Sequence, residues 1–363
     1  MNPGLGLITF HRALNYGAVL QTYALYSVLT RLGGNVTVLD YRNPVLEERH
    51  KPLCVSTCRK WTDLVRLLFL SRNHNHKYRK FRRFLMDNVN LSGPLCSLRD
   101  LERVSDDYAA FITGSDQVWN GNITGWDPAY FLVFTDVDKR NSYAASFGFA
   151  EIPEGRSEEY RRLLCGFKHM SVREQQAATV IQGLIGKRPE VVLDPTLLLR
   201  ADEWEEISIR PKRKRYILVY GFAGENYLRF ASGLARKTGL RIVCIGNPLF
   251  PKPCFAYERD AGPEEFLGLF RDASYIVTNS FHGVAFAINF NVPFFLEFLP
   301  EASGVNARLE NIVDLFGLSG RLISRGEIAN QELSMDFSLI NSTLESERQK
   351  SFRFLRMLVS QLG

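Results

Sequence analysis

The chain has 363 residues, 45% hydrophobic and 23% charged, which is enough apolar sequence for two ordinary hydrophobic cores. Lys and Arg outnumber Asp and Glu by 45 to 39, and the formal charge of +6 mildly favours anionic partners such as phosphorylated metabolites, acidic glycans or a lipid surface. No apolar run reaches the roughly 20 residues of a membrane span and no secretory signal opens the sequence, so we expect a cytoplasmic protein.

The first forty residues predict a strand, a helix and a second strand. An apolar strand over 4–10 leads through Asn15, Tyr16 and Gly17 into a helix over 18–32, and a strand follows over 35–41. Gly33 and Gly34 supply the positive φ that commonly ends a helix. A loop between a parallel strand and its helix lies at the carboxyl edge of the sheet, so we expect residues 15–17 to bind substrate.

Residues 51–92 predict a basic helical stretch. Its cluster contains Arg72, His74, His76, Lys77, Arg79, Lys80, Arg82 and Arg83. A solvated helix face is one interpretation; a contact with an anionic glycan or the inner membrane surface is another, with Tyr78, Phe81 and Phe84 docking the apolar side. No recognised DNA- or RNA-binding module accompanies it, and we expect no nucleic-acid partner.

The six cysteines are scattered, which is typical of reduced thiols. Cys54 and Cys58 are spaced C-x3-C, but no second Cys or His pair follows at zinc-finger spacing. The sequence therefore predicts no metal site.

Further short apolar strands predict two sheets. They lie at 108–113, 141–146, 169–172 and 189–193, and then at 215–220, 240–246 and 273–278. The pattern predicts an α/β protein with two Rossmann-like domains, residues 1–200 and 201–340. The break falls within 194–214, where Pro195, Pro211 and the basic run 212–214 are typical of an exposed hinge. Residues 341–363 predict a final amphipathic helix that packs back on the first domain.

The most informative loop follows the strand that ends at Thr278. Asn279 and Ser280 can cap the Ala-rich helix that begins near His282 and Gly283, and free N–H groups at a helix start form an anion site. Gly283 would let a phosphate approach the backbone, and His282 would donate a hydrogen bond or a proton. The alternative is a histidine with a structural role.

A second polar loop follows the strand over 108–113. Asp116 is a candidate base or sugar-hydroxyl acceptor, or alternatively the cap of the following helix. Trp119 offers a flat face for a sugar ring, and Ser115, Gln117 and Asn120 offer polar groups for substrate binding.

Two arginines are candidate anion clamps. Arg173 follows a predicted strand, and Arg308 lies after the loop that contains Gly304. Each can bind a carboxylate or phosphate in bidentate fashion, or form a structural ion pair. Neither GxGxxG nor GxxxxGK[ST] occurs, which disfavours dinucleotide-binding and P-loop functions.

Several ordered strings together resemble the polysaccharide pyruvyl transferase family. They are Leu7-Ile-Thr-Phe-His with Asn15-Tyr-Gly-Ala-Val-Leu-Gln21, Gly114-Ser-Asp-Gln-Val-Trp-Asn120, Ser142-Tyr-Ala-Ala-Ser-Phe-Gly148, Ser171-Val-Arg-Glu174, Leu193-Asp-Pro-Thr-Leu-Leu198 and Thr278-Asn-Ser-Phe-His-Gly-Val-Ala-Phe286. The resemblance implies a GT-B-like fold with two domains facing a cleft, and phosphoenolpyruvate held largely by the second domain. The family's cleft histidine maps onto His282.

The resemblance also implies the reaction. A pyruvyl group passes from phosphoenolpyruvate to a sugar of a surface polysaccharide, free or lipid-linked, forming a ketal without a cofactor or metal. His282 would be the acid and Asp116 the base. Many relatives carry an arginine two residues before the histidine, where this chain has Ser280, so Arg173 or Arg308 is expected to replace it.

Two alternatives stay open. One is a nucleotide-sugar glycosyltransferase on the same frame, in which Glu297 or Glu301 would bind ribose hydroxyls. The other is a non-catalytic member of a polysaccharide assembly complex, which the missing arginine keeps in view.

Overall fold

The computed structural model describes residues 4–55, 60–149, 151–222, 224–299, 306–323 and 332–360. The first part of the chain forms a seven-stranded parallel sheet in the order β3-β2-β1-β4-β5-β6-β7. Its strands are β1 (Gly4–Ile8), β2 (Val36–Tyr41), β3 (Leu91–Leu95), β4 (Tyr108–Thr113), β5 (Arg140–Ala145), β6 (His169–Val172) and β7 (Glu190–Val191).

The second part forms a five-stranded parallel sheet in the order β10-β9-β8-β11-β12. Its strands are β8 (Tyr216–Tyr220), β9 (Arg241–Ile245), β10 (Phe255–Glu258), β11 (Tyr275–Thr278) and β12 (Phe294–Leu296). The strand order reverses beside β1 in the first sheet and beside β8 in the second, and ligands of open α/β sheets bind at such points. The predicted fold class, two Rossmann-like α/β units, is confirmed.

Thirteen α-helices connect and cover the strands within the described residues. They are α1 (Tyr16–Arg31), α2 (Pro44–His50), α3 (Trp61–Asn88), α4 (Leu98–Arg103), α5 (Gly121–Thr124), α6 (Ser157–Leu164), α7 (Gln175–Ile185), α8 (Ala201–Glu206), α9 (Asn226–Thr238), α10 (Pro263–Arg271), α11 (Phe281–Asn289), α12 (Ala307–Phe316) and α13 (Ser338–Ser360). No described helix has both the length and the apolar character needed to cross a bilayer.

Helix α1 joins the two halves of the molecule. It begins where the Asn15 side chain accepts the Ala18 N–H, a standard N-cap. Tyr16 stacks on Phe266 of α10 at 4.3 Å between ring centroids, and its hydroxyl donates to the Ala261 carbonyl at 2.7 Å. These contacts make α1 part of a core that both sheets share, which fixes the geometry of the cleft between them.

The C-terminal helix α13 contacts both halves. The buried Arg348 guanidinium donates to the carbonyls of Leu197 and Leu199 and to the side chain of Asn289 on α11. The Leu193 N–H donates to the Ser351 hydroxyl at 3.0 Å. The helix therefore ties the end of the first sheet to the second half of the chain.

Two local predictions are wrong. Phe81 and Phe84 do not offer an apolar docking side, because both are 1% exposed and pack in the core beside α1. The stretch from Asp194 to Leu199 is not an exposed hinge, because its residues are buried against α1 and α11; the exposed part of the connection is 209–215. Cys58, Glu301 and Gly304 lie outside the described residues.

Candidate active site

His282 of the second sheet's α11 lies directly against Gly17 of the first sheet's α1. The imidazole occupies the space where a Cβ at position 17 would stand, so only glycine allows this approach. The ring is 5% exposed, and within the described part of the chain its Nε2 has no hydrogen-bond partner. Nε2 lies 3.8 Å from Asp194 Oδ2. The contact brings a titratable group to the junction of the two domains.

The first turn of α11 has backbone N–H groups that no side chain at the cap position binds. The Asn279 side chain accepts the Phe222 N–H at 2.7 Å, and the Ser280 N–H donates to Thr278 Oγ1 at 3.1 Å. The Ser280 side chain makes no capping bond to the helix. The first N–H groups of α11 thus have no side-chain acceptor at the cap position, which is the arrangement that binds anions.

Gly283 packs closely against the end of its own strand. A Cβ at this position would overlap the Thr278 side chain at the end of β11. The glycine is therefore required for packing of α11 against its own strand, a reason independent of any ligand.

Asp116 is fixed in a left-handed backbone conformation. Its φ is 75°, and its carbonyl accepts the N–H groups of Val118 and Ser146 at 2.8 and 3.0 Å. The following helix is capped by Asn120, whose side chain accepts the Asn122 N–H, so the capping alternative for Asp116 is wrong. The carboxylate is left to face the cleft.

Two arginines from different halves approach Asp116. Arg173 Nη2 lies 3.7 Å and Arg308 Nη1 3.9 Å from Asp116 Oδ1. Both predicted clamps therefore reach one site, but their surroundings differ.

Three carboxylates surround Arg173, although its Nη2 has no hydrogen-bond partner within the described residues. It donates to Asp194 at 2.7 Å and to Glu174 at 3.0 Å, and lies over the Phe281 ring. Burial alone would lower the pKa of Arg173, but Glu174, Asp194 and Asp116 raise it above its ordinary value. Arg173 belongs to a buried ion-pair network.

Arg308 is short of countercharge. Its Nε is buried and has no partner in the described ranges, and burial together with the nearby Arg173 lowers the pKa of Arg308. A buried guanidinium with an unused N–H favours an anionic ligand.

Asp194 is the buried carboxylate beside His282. Burial would raise its pKa, but His282, Arg173 and hydrogen bonds from Thr196 lower the pKa of Asp194 to about 2. The Ser115 hydroxyl also donates to Asp194 at 2.9 Å. Burial lowers the pKa of His282 below its ordinary value, although Asp194 and Asp116 oppose the shift.

These groups surround a cleft of about 240 Å³ between the two halves. Its polar lining consists of Asn15, Arg49, His50, Asp116, Gln117, Asn279, Ser280, His282 and Arg308. Sequence reasoning missed Arg49 and His50, at the end of α2; they follow β2 at the same sheet edge as the other loops, which is the signal that points to them. Burial and the neighbouring Arg82 lower the pKa of His50 to about 4.

Seven of the ten residues predicted to bind substrate lie outside the cleft lining: Gly17, Arg173 and Gly283, whose contacts are given above, and the four that follow. Trp119 is 1% exposed, donates to the Tyr130 carbonyl and stacks on Phe131, so its predicted role as a sugar platform is wrong. Tyr16 is buried in the domain contact, Ser115 lies behind Asp194, and Asn120 caps α5. They hold the cleft wall in place.

The sequence over residues 15–296 matches the model of a known family, polysaccharide pyruvyl transferase. The chain belongs to the polysaccharide pyruvyl transferase family. Five of the sequence strings that resemble this family contribute residues to the site. They are 15–21, 114–120, 171–174, 193–198 and 278–286.

Solved structures show the fold. A UDP-GlcNAc 2-epimerase from Methanocaldococcus jannaschii, in complex with UDP-GlcNAc and UDP, is 13% identical, with 98% of each chain covered and a TM-score of 0.50. A UDP-N-acetylglucosamine 2-epimerase from Listeria monocytogenes is 11% identical over 98% of this chain and 91% of that one, with a TM-score of 0.49. No curated protein matches the chain in sequence. At this level of sequence identity the similarity concerns architecture alone, a GT-B-like fold of two α/β units.

Proposed function

We propose that this family member transfers a pyruvyl group from phosphoenolpyruvate to a sugar of a surface polysaccharide or its lipid-linked precursor, forming a ketal and releasing phosphate. One observation supports this most directly: His282 Nε2 and Arg308 Nε are buried and unpaired within the described residues, beside the uncapped start of α11. Together these groups can bind an anionic substrate and donate a proton to it.

Phosphoenolpyruvate carries a phosphate and a carboxylate. We assign one anionic group to the N–H groups of α11 and the other to Arg308, which has hydrogen-bonding capacity to spare. Arg173 Nη2 is also unpaired within the described residues, but this guanidinium is already hydrogen-bonded to Glu174 and Asp194. We therefore choose Arg308 as the replacement for the arginine that many relatives carry before the histidine.

The chemistry needs an acid and a base. His282 donates a proton to the methylene C3 of phosphoenolpyruvate while a sugar hydroxyl adds to C2 and gives its proton to Asp116. The C2–O bond to phosphate then breaks as a second hydroxyl of the sugar bonds to C2, and the proton of that hydroxyl leaves with phosphate. Asp116 releases its proton to solvent and His282 takes one up, which restores both groups. Cationic groups around the cleft stabilise the phosphate that develops. No redox step occurs, and the scheme uses no cofactor.

A peripheral membrane contact forms part of the proposal. On α3, Trp61, Leu68 and Phe69 are 77%, 72% and 70% exposed, and the exposed Arg72 and Arg79 continue the same helix face. An exposed apolar stripe followed by arginines suits an anionic bilayer surface. Because phosphoenolpyruvate is a cytoplasmic metabolite, we assign the contact to the cytoplasmic leaflet.

Vesicle sedimentation tests the membrane contact. We expect the full chain to sediment with vesicles of anionic phospholipid, and the triple variant Trp61→Ser, Leu68→Ser, Phe69→Ser to lose most of this binding. A matched triple variant at exposed apolar positions elsewhere, Val137→Ser, Ile209→Ser, Leu339→Ser, should sediment like the unchanged protein. Equal sedimentation of the two triple variants would refute the contact.

The reaction itself is tested by phosphate release from phosphoenolpyruvate with free and lipid-linked galactosyl, mannosyl and glucosyl acceptors. We expect acceptor-dependent release and a ketal methyl signal in the product NMR spectrum. His282→Ala should lower the rate by about 10²- to 10⁴-fold. Arg200→Met, which changes an exposed arginine paired with Glu345, serves as the control. If the protein neither binds phosphoenolpyruvate nor releases phosphate with any acceptor, the proposal fails.

A further inference from the structure

A second and larger pocket lies beside the cleft. It has a volume of about 440 Å³ and is bounded by the end of α2, the part of α3 from Asp63 to Lys77 and the loop after β9. Gly246 and Asn247 of that loop follow β9 at its carboxyl end, the same edge of the second sheet at which β11 leads into His282. The pocket therefore occupies a ligand-binding edge of the fold.

The lining of this pocket is predominantly basic. Its cationic and titratable nitrogen groups are Arg49, Lys51, His74, Lys77 and Arg259. Of the two acidic residues in the lining, Glu48 pairs with Lys51 at 2.6 Å, and Asp63 accepts the Lys60 N–H at the start of α3. With Glu48 and Lys51 paired, Arg49, Lys77 and Arg259 outnumber Asp63, so the pocket keeps an excess of positive charge.

Lys77 is the most informative of the basic groups. Its Nζ lies 4.2 Å from the centroid of the Tyr16 ring and 5.2 Å from that of Phe81, which favours the charged amine. Burial lowers the pKa of Lys77 to about 8, and no described carboxylate opposes the shift. A bound anion would supply the missing countercharge.

The pocket and the active-site cleft are neighbours that share one lining residue. Arg49 lines both spaces. Lys77 Nζ lies over the ring of Tyr16. In the sequence, Tyr16 lies between Asn15, which lines the cleft, and Gly17, which contacts His282. A ligand that places its sugar near Asp116 can therefore place an adjoining anionic group at Lys77.

We propose that this pocket binds the diphosphate ester through which the acceptor saccharide is joined to its carrier, with Lys77 and Arg259 as its main cationic contacts. The inference rests on the proposed pyruvyl transfer, because it names the class of acceptor for that site. The lipid-binding face proposed above belongs to the same helix, α3, so a membrane-embedded carrier and this pocket are compatible.

Binding of inorganic pyrophosphate, measured by titration calorimetry, tests the pocket without turnover. Lys77→Met keeps the length and apolar stem of the side chain, and we expect it to weaken pyrophosphate binding by about 10-fold or more. Arg259→Met should act in the same direction, Lys77→Arg should largely retain binding, and Arg308→Met should leave it unchanged. Phosphoenolpyruvate binding should instead be weakened by Arg308→Met and left unchanged by Lys77→Met and Arg259→Met. Thermal melting verifies that each variant is folded.

Kinetics with three acceptors complete the test. For a galactoside on a polyprenyl diphosphate, Lys77→Met should raise KM about 10-fold with kcat nearly unchanged, while KM for methyl galactoside stays as it is. UDP-galactose as a third acceptor shows whether a nucleotide carrier meets the same Lys77 dependence, which would equally support a diphosphate site. Displacement of pyrophosphate by phosphoenolpyruvate, or unchanged binding in Lys77→Met, overturns the inference. The pyrophosphate arm decides this even if no pyruvyl transfer is detected.

Discussion

Gly17 and His282 contact each other across the junction of the two sheets, and the imidazole fills the space of the missing side chain. Gly17 lies in the first turn of α1, and His282 in the first turn of α11. The absence of a side chain at Gly17 in one domain thereby lets His282, the candidate acid of the other domain, occupy this position.

The first prediction concerns this contact. In Gly17→Ala the new methyl group must displace the imidazole, and we expect the rate of phosphate release to fall about 100-fold, since small displacements of a reacting group have effects of this size. Because the overlap is buried, the free energy of unfolding should also fall, by about 1 to 3 kcal/mol, while the protein stays folded. Gly183→Ala on α7, where a Cβ meets open space, is the matched control and should retain full activity. Equal activity of the two variants would contradict the proposed role of the contact.

The second prediction separates the two arginines. Arg308→Met should weaken phosphoenolpyruvate binding by about 10- to 100-fold, as expected for a lost charge-assisted hydrogen bond. Because Arg308 Nε is unpaired within the described residues and the nearest carboxylate, Asp116, is 3.9 Å from Nη1, stability should change little. Arg173→Met should instead lower the free energy of unfolding by about 3 to 5 kcal/mol, because it leaves Asp194 and Glu174 buried without their cation. Calorimetric titration and urea unfolding measure the two effects. If Arg173 were the arginine that binds substrate, Arg173→Met would weaken phosphoenolpyruvate binding and Arg308→Met would not.

The third prediction concerns acid sensitivity. The pKa of His282 in the folded protein is lowered by burial, so the unfolded chain takes up the proton first as the pH falls below about 6.5. His282 therefore favours unfolding increasingly toward acid, whereas Asp194, with a pKa of about 2, loses its stabilising contribution only below about pH 4. Between pH 7.5 and 5.5 the melting temperature should fall more steeply for the unchanged protein than for His282→Gln.

His50 requires its own control, since its pKa of about 4 gives a contribution of the same sign in this pH range. The double variant His50→Gln, His282→Gln should show a shallower pH dependence than either single variant. Parallel curves for all four proteins would show that neither histidine is buried as described.

The fourth prediction concerns Trp119. Because the indole lies in the core and bonds to the Tyr130 carbonyl, Trp119→Phe should lower the free energy of unfolding by about 2 kcal/mol and leave the KM of the sugar acceptor unchanged. Urea unfolding and initial-rate kinetics measure the two quantities. A large rise in KM without loss of stability would restore the sugar-platform role.

The sequence alone determined the alternation of apolar strands and helices, and with it the α/β class. The predicted strands over 108–113 and 169–172 agree with β4 and β6 to the residue, because short apolar runs bounded by turn residues are a local signal. The strand-end rule likewise located His282 and Asp116, since all parallel strands present their carboxyl ends to one edge.

The tertiary structure decided which side chains face the cleft. Trp119 and Phe81 were open to several roles in the sequence, but the packing of distant elements around them placed both in the core. The approach of His282 to Gly17, the different surroundings of Arg308 and Arg173, and the position of Lys77 in the lining of a second pocket all depend on how two separately patterned domains meet. Periodicity reports the neighbours of a residue within its own helix or strand, whereas burial, countercharge and free hydrogen-bonding capacity are set by residues far away in the chain.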